Sequence, residues 1–128
     1  MQWAISRTMT INEISTSLFV ISLLGLVGCQ RGRSTDELID DLQLQSSRHR
    51  VKAARLLESH RGDGSQVIPA LIQCLDDSDK KVRRSAAIGL GNYGSQAASA
   101  IPALEARQRD SDVRVREAAT VALSRIRR

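Results

Sequence analysis

Aromatic residues are scarce in this 128-residue sequence, which contains only Trp3, Phe19 and Tyr93. A hydrophobic core must therefore come from Leu, Ile, Val and Ala, the aliphatic side chains that let helices approach closely and give a β-sandwich little to pack. The composition thus favours an all-α fold. The length leaves room for one domain and excludes a multidomain enzyme.

The sequence also lacks an apolar run of the roughly 20 residues that a membrane-spanning helix needs. Its longest apolar run, residues 18–27, has the length of the apolar region in a secretory signal. The run ends at Gly28 and Cys29 and is followed at once by the polar residues Gln30 and Arg31. We therefore predict an export signal at residues 1–28.

The end of this run, Leu26-Val27-Gly28-Cys29, resembles the lipobox of bacterial lipoproteins. The resemblance implies cleavage before Cys29, transfer of a diacylglycerol to its thiol, and a short tether at residues 29–34. It also implies a lipid-anchored protein of the cell membrane or outer membrane that faces the periplasm or the exterior. An uncleaved signal anchor and a wrongly assigned start codon, with Met9 in place of Met1, are the alternatives.

Cysteine is rare as well, and once Cys29 carries lipid only Cys74 is left, so no intramolecular disulfide can form. Cys74 lies three residues after Leu71 and one before Leu75, the spacing of the buried stripe of a helix. A nucleophilic cysteine needs a histidine or a helix N-terminus beside it, and the sequence indicates neither. We predict that Cys74 is a core residue.

The main pattern in the sequence is an internal repeat. Shifting the chain by 33 residues aligns residues 68–94 with residues 101–127 without a gap and gives 11 identities over 27 positions. The opposite shift aligns Leu38 with Leu71 and Arg50 with Arg83. A fixed period of about 20–50 residues is typical of a solenoid, whose units stack to bury a shared apolar face. We predict a short α-solenoid at residues 35–128, with units at about 35–65, 66–98 and 99–128.

Each unit is predicted to be an antiparallel helix pair, near residues 35–59, 66–91 and 99–127. In the middle unit Pro69 is expected in the first turn of the first helix, where proline is tolerated. Either Ser78 or Asp79 is expected to cap the second helix. Gly91 and Gly94 are expected to end it as left-handed caps.

The apolar-Pro-Ala-Leu segment, the Asp-rich turn, the Val-Arg pair and the Ala-Ala pair together resemble HEAT repeats, in particular the short bacterial repeats of the phycobilisome-lyase type. The resemblance covers residues 35–128 and implies two columns of residues that hydrogen-bond along the stack. The aspartate column is Asp77 or Asp79 with Asp112, and the arginine column is Arg50, Arg83 and Arg116. The first unit departs from the pattern, because Leu44 and Ser46 stand where the other units carry turn aspartates.

Residues suited to catalysis or metal binding are few. His49 and His60 are the only histidines, and neither precedes a glutamate, the adjacent pair with which HEAT-repeat hydroxylases bind iron. Asp76, Asp77 and Asp79 lack the longer ligand loop of a calcium site, so helix capping is their expected role. We predict no catalytic residue, no metal and no cofactor.

Two enzymatic functions of related proteins need residues that this sequence has in short supply. Bilin handling by lyases is expected to need a longer solenoid with aromatic lining, and HEAT-like DNA glycosylases rely on aromatic and acidic residues on a concave surface. Tyr93 is the only aromatic residue after residue 28. A membrane-tethered, non-enzymatic scaffold for protein–protein interaction is therefore the preferred hypothesis, and an accessory lyase-like protein is the alternative.

The formal charge of +5 indicates an acidic partner. One position carries a cation in all three aligned units, and its residues are Arg48, Lys81 and Arg114. Equivalent positions of a solenoid stack about 10 Å apart, so these residues, which we term the basic ridge, are predicted to contact an acidic protein surface or anionic lipid headgroups. The alternative is a solvated face whose cations pair with Asp77, Asp79 or Asp112. Specific binding of nucleic acid conflicts with export and is not expected.

Overall fold

Helices dominate residues 32–60 and 64–128, the part of the chain that the computed structural model describes, and no strand occurs among these residues. In chain order the α-helices are α1 (Thr35–Asp41), α2 (Ser47–Ser59), α3 (Gly64–Cys74), α4 (Lys80–Tyr93), α5 (Ile101–Arg107) and α6 (Val113–Ile126), with a 3-10 segment at Gly94–Ala100. The predicted all-α fold is confirmed. The predicted export signal and Cys29 lie outside the described residues.

Residues 34–128 form one unit, in which three helix pairs stack side by side. The second helix of the middle pair, α4, packs against α2 on one side and against α6 on the other. The first helices of the pairs, α1, α3 and α5, pack against α2, α4 and α6 respectively. The predicted solenoid of helix pairs is therefore confirmed, with α2, α4 and α6 as adjacent elements of one layer.

Leucine and alanine side chains fill the core, as the shortage of aromatic residues requires. Among the described residues, the leucines with no exposed surface are Leu38, Leu57, Leu71, Leu90 and Leu104. Small residues set the spacing of the second helices, because a Cβ added to Gly91 of α4 would lie 3.0 Å from the Cα of Ala122 in α6. The two helix backbones therefore approach closely at this point, and Cys74 is buried in the same core.

The helix ends follow local side-chain chemistry. The carboxylate of Asp79 accepts a hydrogen bond from the amide of Lys81 and caps α4, so the aspartate and not Ser78 is the cap. Gly94 ends α4 with a φ of 56°, a conformation that glycine adopts without steric cost. Gly91, predicted as a second ending, lies inside α4. Pro69 lies in the second turn of α3 and not in the first, because the helix begins at Gly64.

The third pair presents polar side chains where the second pair presents apolar ones. Leu75 and Ala87 are buried, but their equivalents Gln108 and Thr120 are exposed. The Gln108 amide nitrogen lies 3.4 Å from the Thr120 hydroxyl oxygen. A polar outer face of this kind is typical of a solenoid repeat that has solvent on one side.

Candidate functional site

An arginine in each second helix binds the turn of its own pair, and the arginines of the first two pairs also bind the next pair. In the first pair, Nη1 of Arg50 donates to the backbone oxygens of Leu44 and Gln45, at 2.9 and 2.8 Å. Its Nε and Nη2 donate to the two carboxylate oxygens of Asp77 in the second pair, at 2.7 and 3.0 Å. Such a bidentate contact fixes both the distance and the orientation between pairs.

The second pair repeats this arrangement. Nη1 of Arg83 donates to the backbone oxygens of Asp77 and Ser78, and its Nε and Nη2 donate to Asp110 of the third pair at 2.9 and 2.8 Å. In the third pair, Nη1 of Arg116 binds the backbone oxygens of Asp110 and Ser111. Arg116 has no carboxylate partner within residues 32–60 and 64–128. Arg50 and Arg83 therefore act as clamps between successive pairs.

The aspartate column differs from the one expected from the sequence. The arginine partners are Asp77 and Asp110, whereas Asp79 and Asp112 cap α4 and α6 with carboxylate-to-amide distances of 2.7 and 3.0 Å. The placement of Asp79 and Asp112 as arginine partners is therefore wrong, because one carboxylate oxygen of each accepts an amide of the helix that it precedes, and the other oxygen of Asp112 pairs with Lys80. The 33-residue alignment pairs Asp77 with Asp110 and equally Asp79 with Asp112, so it does not distinguish the two sets.

The electrostatics of the clamps agree with their geometry. The hydrogen bond from Arg83 lowers the pKa of Asp110, and the amide of Asp112 lowers it further. Burial opposes ionisation of Asp77, but its bonds with Arg50 and the Asp79 amide outweigh this and lower its pKa as well. Ionised aspartates paired in this way stabilise the stack. We therefore assign the clamp residues to structure and not to partner binding.

The basic ridge lies elsewhere on the second helices. Arg48, Lys81 and Arg114 are each the second residue of their helix, and all three are exposed. Lys81 and Arg114 line one cleft between α4 and α6, while Arg48 lies at the equivalent position of α2, outside that cleft.

The ridge cations form no ion pair with the turn aspartates among the described residues. Asp112 forms its ion pair with Lys80, at 3.1 Å, and Asp77 forms its ion pair with Arg50. Within the described part of the chain, the side chains of Arg48, Lys81 and Arg114 form no ion pair. Their positive charge is therefore directed to solvent or to a partner.

A second cleft between α4 and α6 was missed in the sequence. It has a volume of about 190 Å³, and its lining residues are Arg84, Ile88, Gly91, Arg114, Glu117, Ala118, Val121, Ala122 and Arg125. We term it the arginine groove. From Arg114 the spacings of three, four, seven and eleven residues lead along one face of α6, so helical periodicity places these residues together but does not show that their face stays uncovered.

Groups suited to nucleophilic or metal chemistry are held in other roles. Burial raises the pKa of the Cys74 thiol to about 11, so the reactive thiolate is a minor form at neutral pH. The Nδ1 of His60 lies 2.9 Å from the backbone oxygen of Leu56. Among the described residues, no three His, Cys, Asp or Glu side chains are grouped so that they can hold a metal ion.

None of the helices in residues 32–60 and 64–128 combines the length and the apolar character needed to cross a membrane. The hydrophobic faces of these helices are instead used in packing. The exceptions are a few exposed apolar side chains, including Val113 and Val121 of α6.

Comparison with known proteins agrees with the stacked helix pairs. The profile of the family described as HEAT repeats matches residues 35–126. The chain belongs to the HEAT-repeat family. A search of curated proteins found no match.

The HEAT-repeat chain is similar in structure to a chain in the complex of CpcE and CpcF of phycocyanin lyase from Nostoc sp. PCC7120. The TM-score is 0.69, the sequence identity is 30%, and the alignment covers 75% of this chain and 38% of that chain. The chain therefore spans well under half the length of the protein that it resembles.

Proposed function

We propose that this HEAT-repeat chain is a non-enzymatic, membrane-tethered scaffold that holds an acidic protein partner on its basic ridge. The observation that carries the proposal is the recurrence of an exposed cation at one position of α2, α4 and α6, namely Arg48, Lys81 and Arg114. Arg50 and Arg83 of the same helices pair with carboxylates inside the protein, whereas the ridge cations form no ion pair among the described residues and are left for an external contact.

The similar phycocyanin lyase structure supports a role in protein–protein interaction, because it is a complex of two different proteins. A solenoid of this type exposes the second helices of its pairs side by side and so offers a continuous surface to a partner. The net charge of +5 favours a partner of opposite charge.

The same comparison favours one alternative, an accessory lyase-like function. A protein that handles a bilin needs a site in which that large, conjugated molecule is held. Purified protein with a visible absorption band from a bound bilin would support the alternative over the scaffold.

For the tether, we expect metabolic labelling with a radioactive fatty acid to mark the wild-type protein and not the Cys29→Ala variant. The reason is that the lipobox-like segment ends at Cys29, whose thiol is the expected acceptor of the diacylglycerol. The Cys74→Ala variant is the matched control, because it removes the buried thiol and leaves Cys29 in place. Equal labelling of wild type and Cys29→Ala would overturn the lipoprotein proposal.

For the ridge, we expect simultaneous replacement of Arg48, Lys81 and Arg114 by glutamate to weaken binding to immobilised poly-glutamate about tenfold or more. Three exposed ion pairs contribute ~0.2–1 kcal/mol each, and reversal replaces attraction with repulsion. The measurements are the salt concentration that elutes the protein and the recovery of a crosslinked partner from membranes. Helix content should not change, because surface substitutions usually alter stability by about 0.5 kcal/mol or less.

A control variant produces the same change in net charge at exposed positions away from the second helices. Its four substitutions are Gln43→Glu, Gln73→Glu, Arg109→Glu and Arg128→Glu. It should retain most of the binding. If both variants lose binding equally, net charge and not the ridge determines the interaction, and the proposed site is wrong.

A further inference from the structure

The arginine groove combines an apolar floor with a basic rim. Val121, which lines it, keeps 49% of its surface exposed although it is a large hydrophobic residue. Ile88 of α4 faces the same groove, and Gly91, Ala118 and Ala122 have no side chains long enough to cover these two residues. The groove thus offers apolar surface that a partner can bury.

Three arginines surround this floor. Within the described residues, Arg84 and Arg114 form no ion pair, and Arg125 donates to a neutral group, the amide oxygen of Asn92, at 3.0 Å. The groove also contains one carboxylate, that of Glu117. The charge is therefore net positive, and it is arranged at both ends of the apolar floor instead of along one continuous line.

The dimensions limit what the groove can hold. Arg114 and Arg125 are eleven residues apart on α6, which corresponds to about 16 Å along the helix axis at ~1.5 Å per residue. A segment of about three helical turns, or of about five extended residues, spans this distance.

We propose that the arginine groove binds an acidic amphipathic segment of a partner protein. An apolar side chain of that segment packs on Val121 and Ile88, and carboxylates on either side of it pair with the groove arginines. This inference rests on the proposed scaffold function and adds the chemistry of the partner: acidic residues that flank an apolar one, not acidic charge alone.

The groove fits this occupant better than other polyanions. A nucleic-acid strand presents an unbroken row of phosphates, which Glu117 repels, and it usually stacks its bases on aromatic side chains, none of which lines the groove. A lipid surface is broad, whereas the apolar floor is confined between two helices. Charge complementarity together with a recessed apolar contact favours a peptide segment.

The test measures binding of synthetic 12-residue peptides to the full-length chain in neutral detergent by fluorescence anisotropy. The test peptide carries leucines on one helical face and glutamates beside them. One control has the same composition with the leucines distributed around the helix, and a second has serine in place of leucine. We expect the test peptide to bind at least tenfold more tightly than either control.

Two valines of α6 provide a matched pair of variants. Val113 and Val121 are 51% and 49% exposed, but only Val121 lines the groove. Val121→Asp should weaken binding of the test peptide at least tenfold, and Val113→Asp should change it less than twofold. Arg125→Gln, which removes one rim charge and keeps a polar side chain, should weaken binding severalfold. Unchanged circular dichroism melting curves show that each variant is folded.

Failure of the groove is separable from failure of the ridge, because Arg48 does not line the groove. The groove proposal is overturned if the peptide with distributed leucines binds as well as the test peptide, or if Val121→Asp binds the test peptide normally. The ridge proposal still stands in that case if Arg48→Glu weakens binding to poly-glutamate. If Val121→Asp impairs binding to phosphatidylglycerol vesicles but not to the peptide, a lipid and not a protein occupies the groove, and the proposal is likewise overturned.

Discussion

The Asp110→Ala variant is expected to lose about 3 kcal/mol of unfolding free energy, the size of effect seen when one partner of a buried ion pair is removed. The side chain of Asp110 is only 2% exposed, and it accepts bonds from Nε and Nη2 of Arg83 and from the amide of Asp112. Without it, the mostly buried side chain of Arg83 loses its carboxylate partner, and the clamp between the second and third pairs is broken. Urea unfolding followed by circular dichroism measures the loss.

The Asp112→Ala variant is the control for this experiment. Asp112 lies two residues from Asp110 in the same turn, but it caps α6 and pairs with the exposed Lys80. Its removal should cost clearly less than removal of Asp110. Equal losses for the two variants would show that the arginine clamp contributes no more than an ordinary helix cap.

The dependence of the unfolding free energy on pH in the acidic range gives a second measure of the same contact. The pKa of Asp110 is lowered in the folded protein, chiefly by the hydrogen bond from Arg83. Its contribution to stability is therefore complete above the unfolded pKa of about 3.9 and is lost as the pH falls through the folded value. In Asp110→Ala the decrease in stability below about pH 4 should be shallower than in wild type. A decrease of the same size would assign the acid sensitivity to other groups, such as Asp77.

The sequence predicts the helix pairs well because the same apolar spacing and the same turn residues occur in more than one unit. The apolar spacing of Ile68, Leu71 and Leu75 defines a buried face, and the equivalents of Ile68 and Leu71 recur 33 residues later. The turn between the helices of a pair recurs in the same register. Local propensity and long-range stacking therefore agree, and little is left for tertiary contacts to override.

The register of the clamps depends on side-chain geometry that spacing alone leaves open. The turns of the second and third pairs each carry two aspartates, and a sequence alignment does not show which of the two an arginine contacts. The structure distinguishes them because Asp79 and Asp112 precede helices whose first amides need an acceptor. Gly91 was misassigned for a related reason, since it is needed for the close approach of α6 and not for ending α4.

The arginine groove depends on which faces of α4 and α6 remain uncovered after stacking. The sequence shows that Val121 lies at a helical position equivalent to Ile88, but the burial of the side chain at this position differs from one pair to the next. Packing therefore decides that Val121 is exposed while Ile88 is half-buried. Exposure of this kind emerges only when the helices are assembled.

The Leu71→Ala variant is expected to lose ~2–5 kcal/mol of unfolding free energy, the range for removing a fully buried leucine side chain. Leu71 has no exposed surface, and a Cβ added to Gly89 of α4 would lie 2.9 Å from one of its methyl carbons. The side chain thus fills the contact between α3 and α4 in the middle pair. A melting temperature lower by about 8 °C or more corresponds to the low end of this loss in a domain of this size.

Leu44→Ala is the matched control, because Leu44 is 42% exposed in the turn before α2 and should tolerate truncation with little loss. A Leu71→Ala variant that melts together with Leu44→Ala would show that Leu71 is not part of the core.

The position of Leu71 adds a further consequence, since the middle pair contacts both of its neighbours. In a solenoid each repeat is stabilised by its neighbours, so loosening α3 removes support from both sides. The transition should therefore shift as a whole, with no fraction of helix that melts at the wild-type temperature.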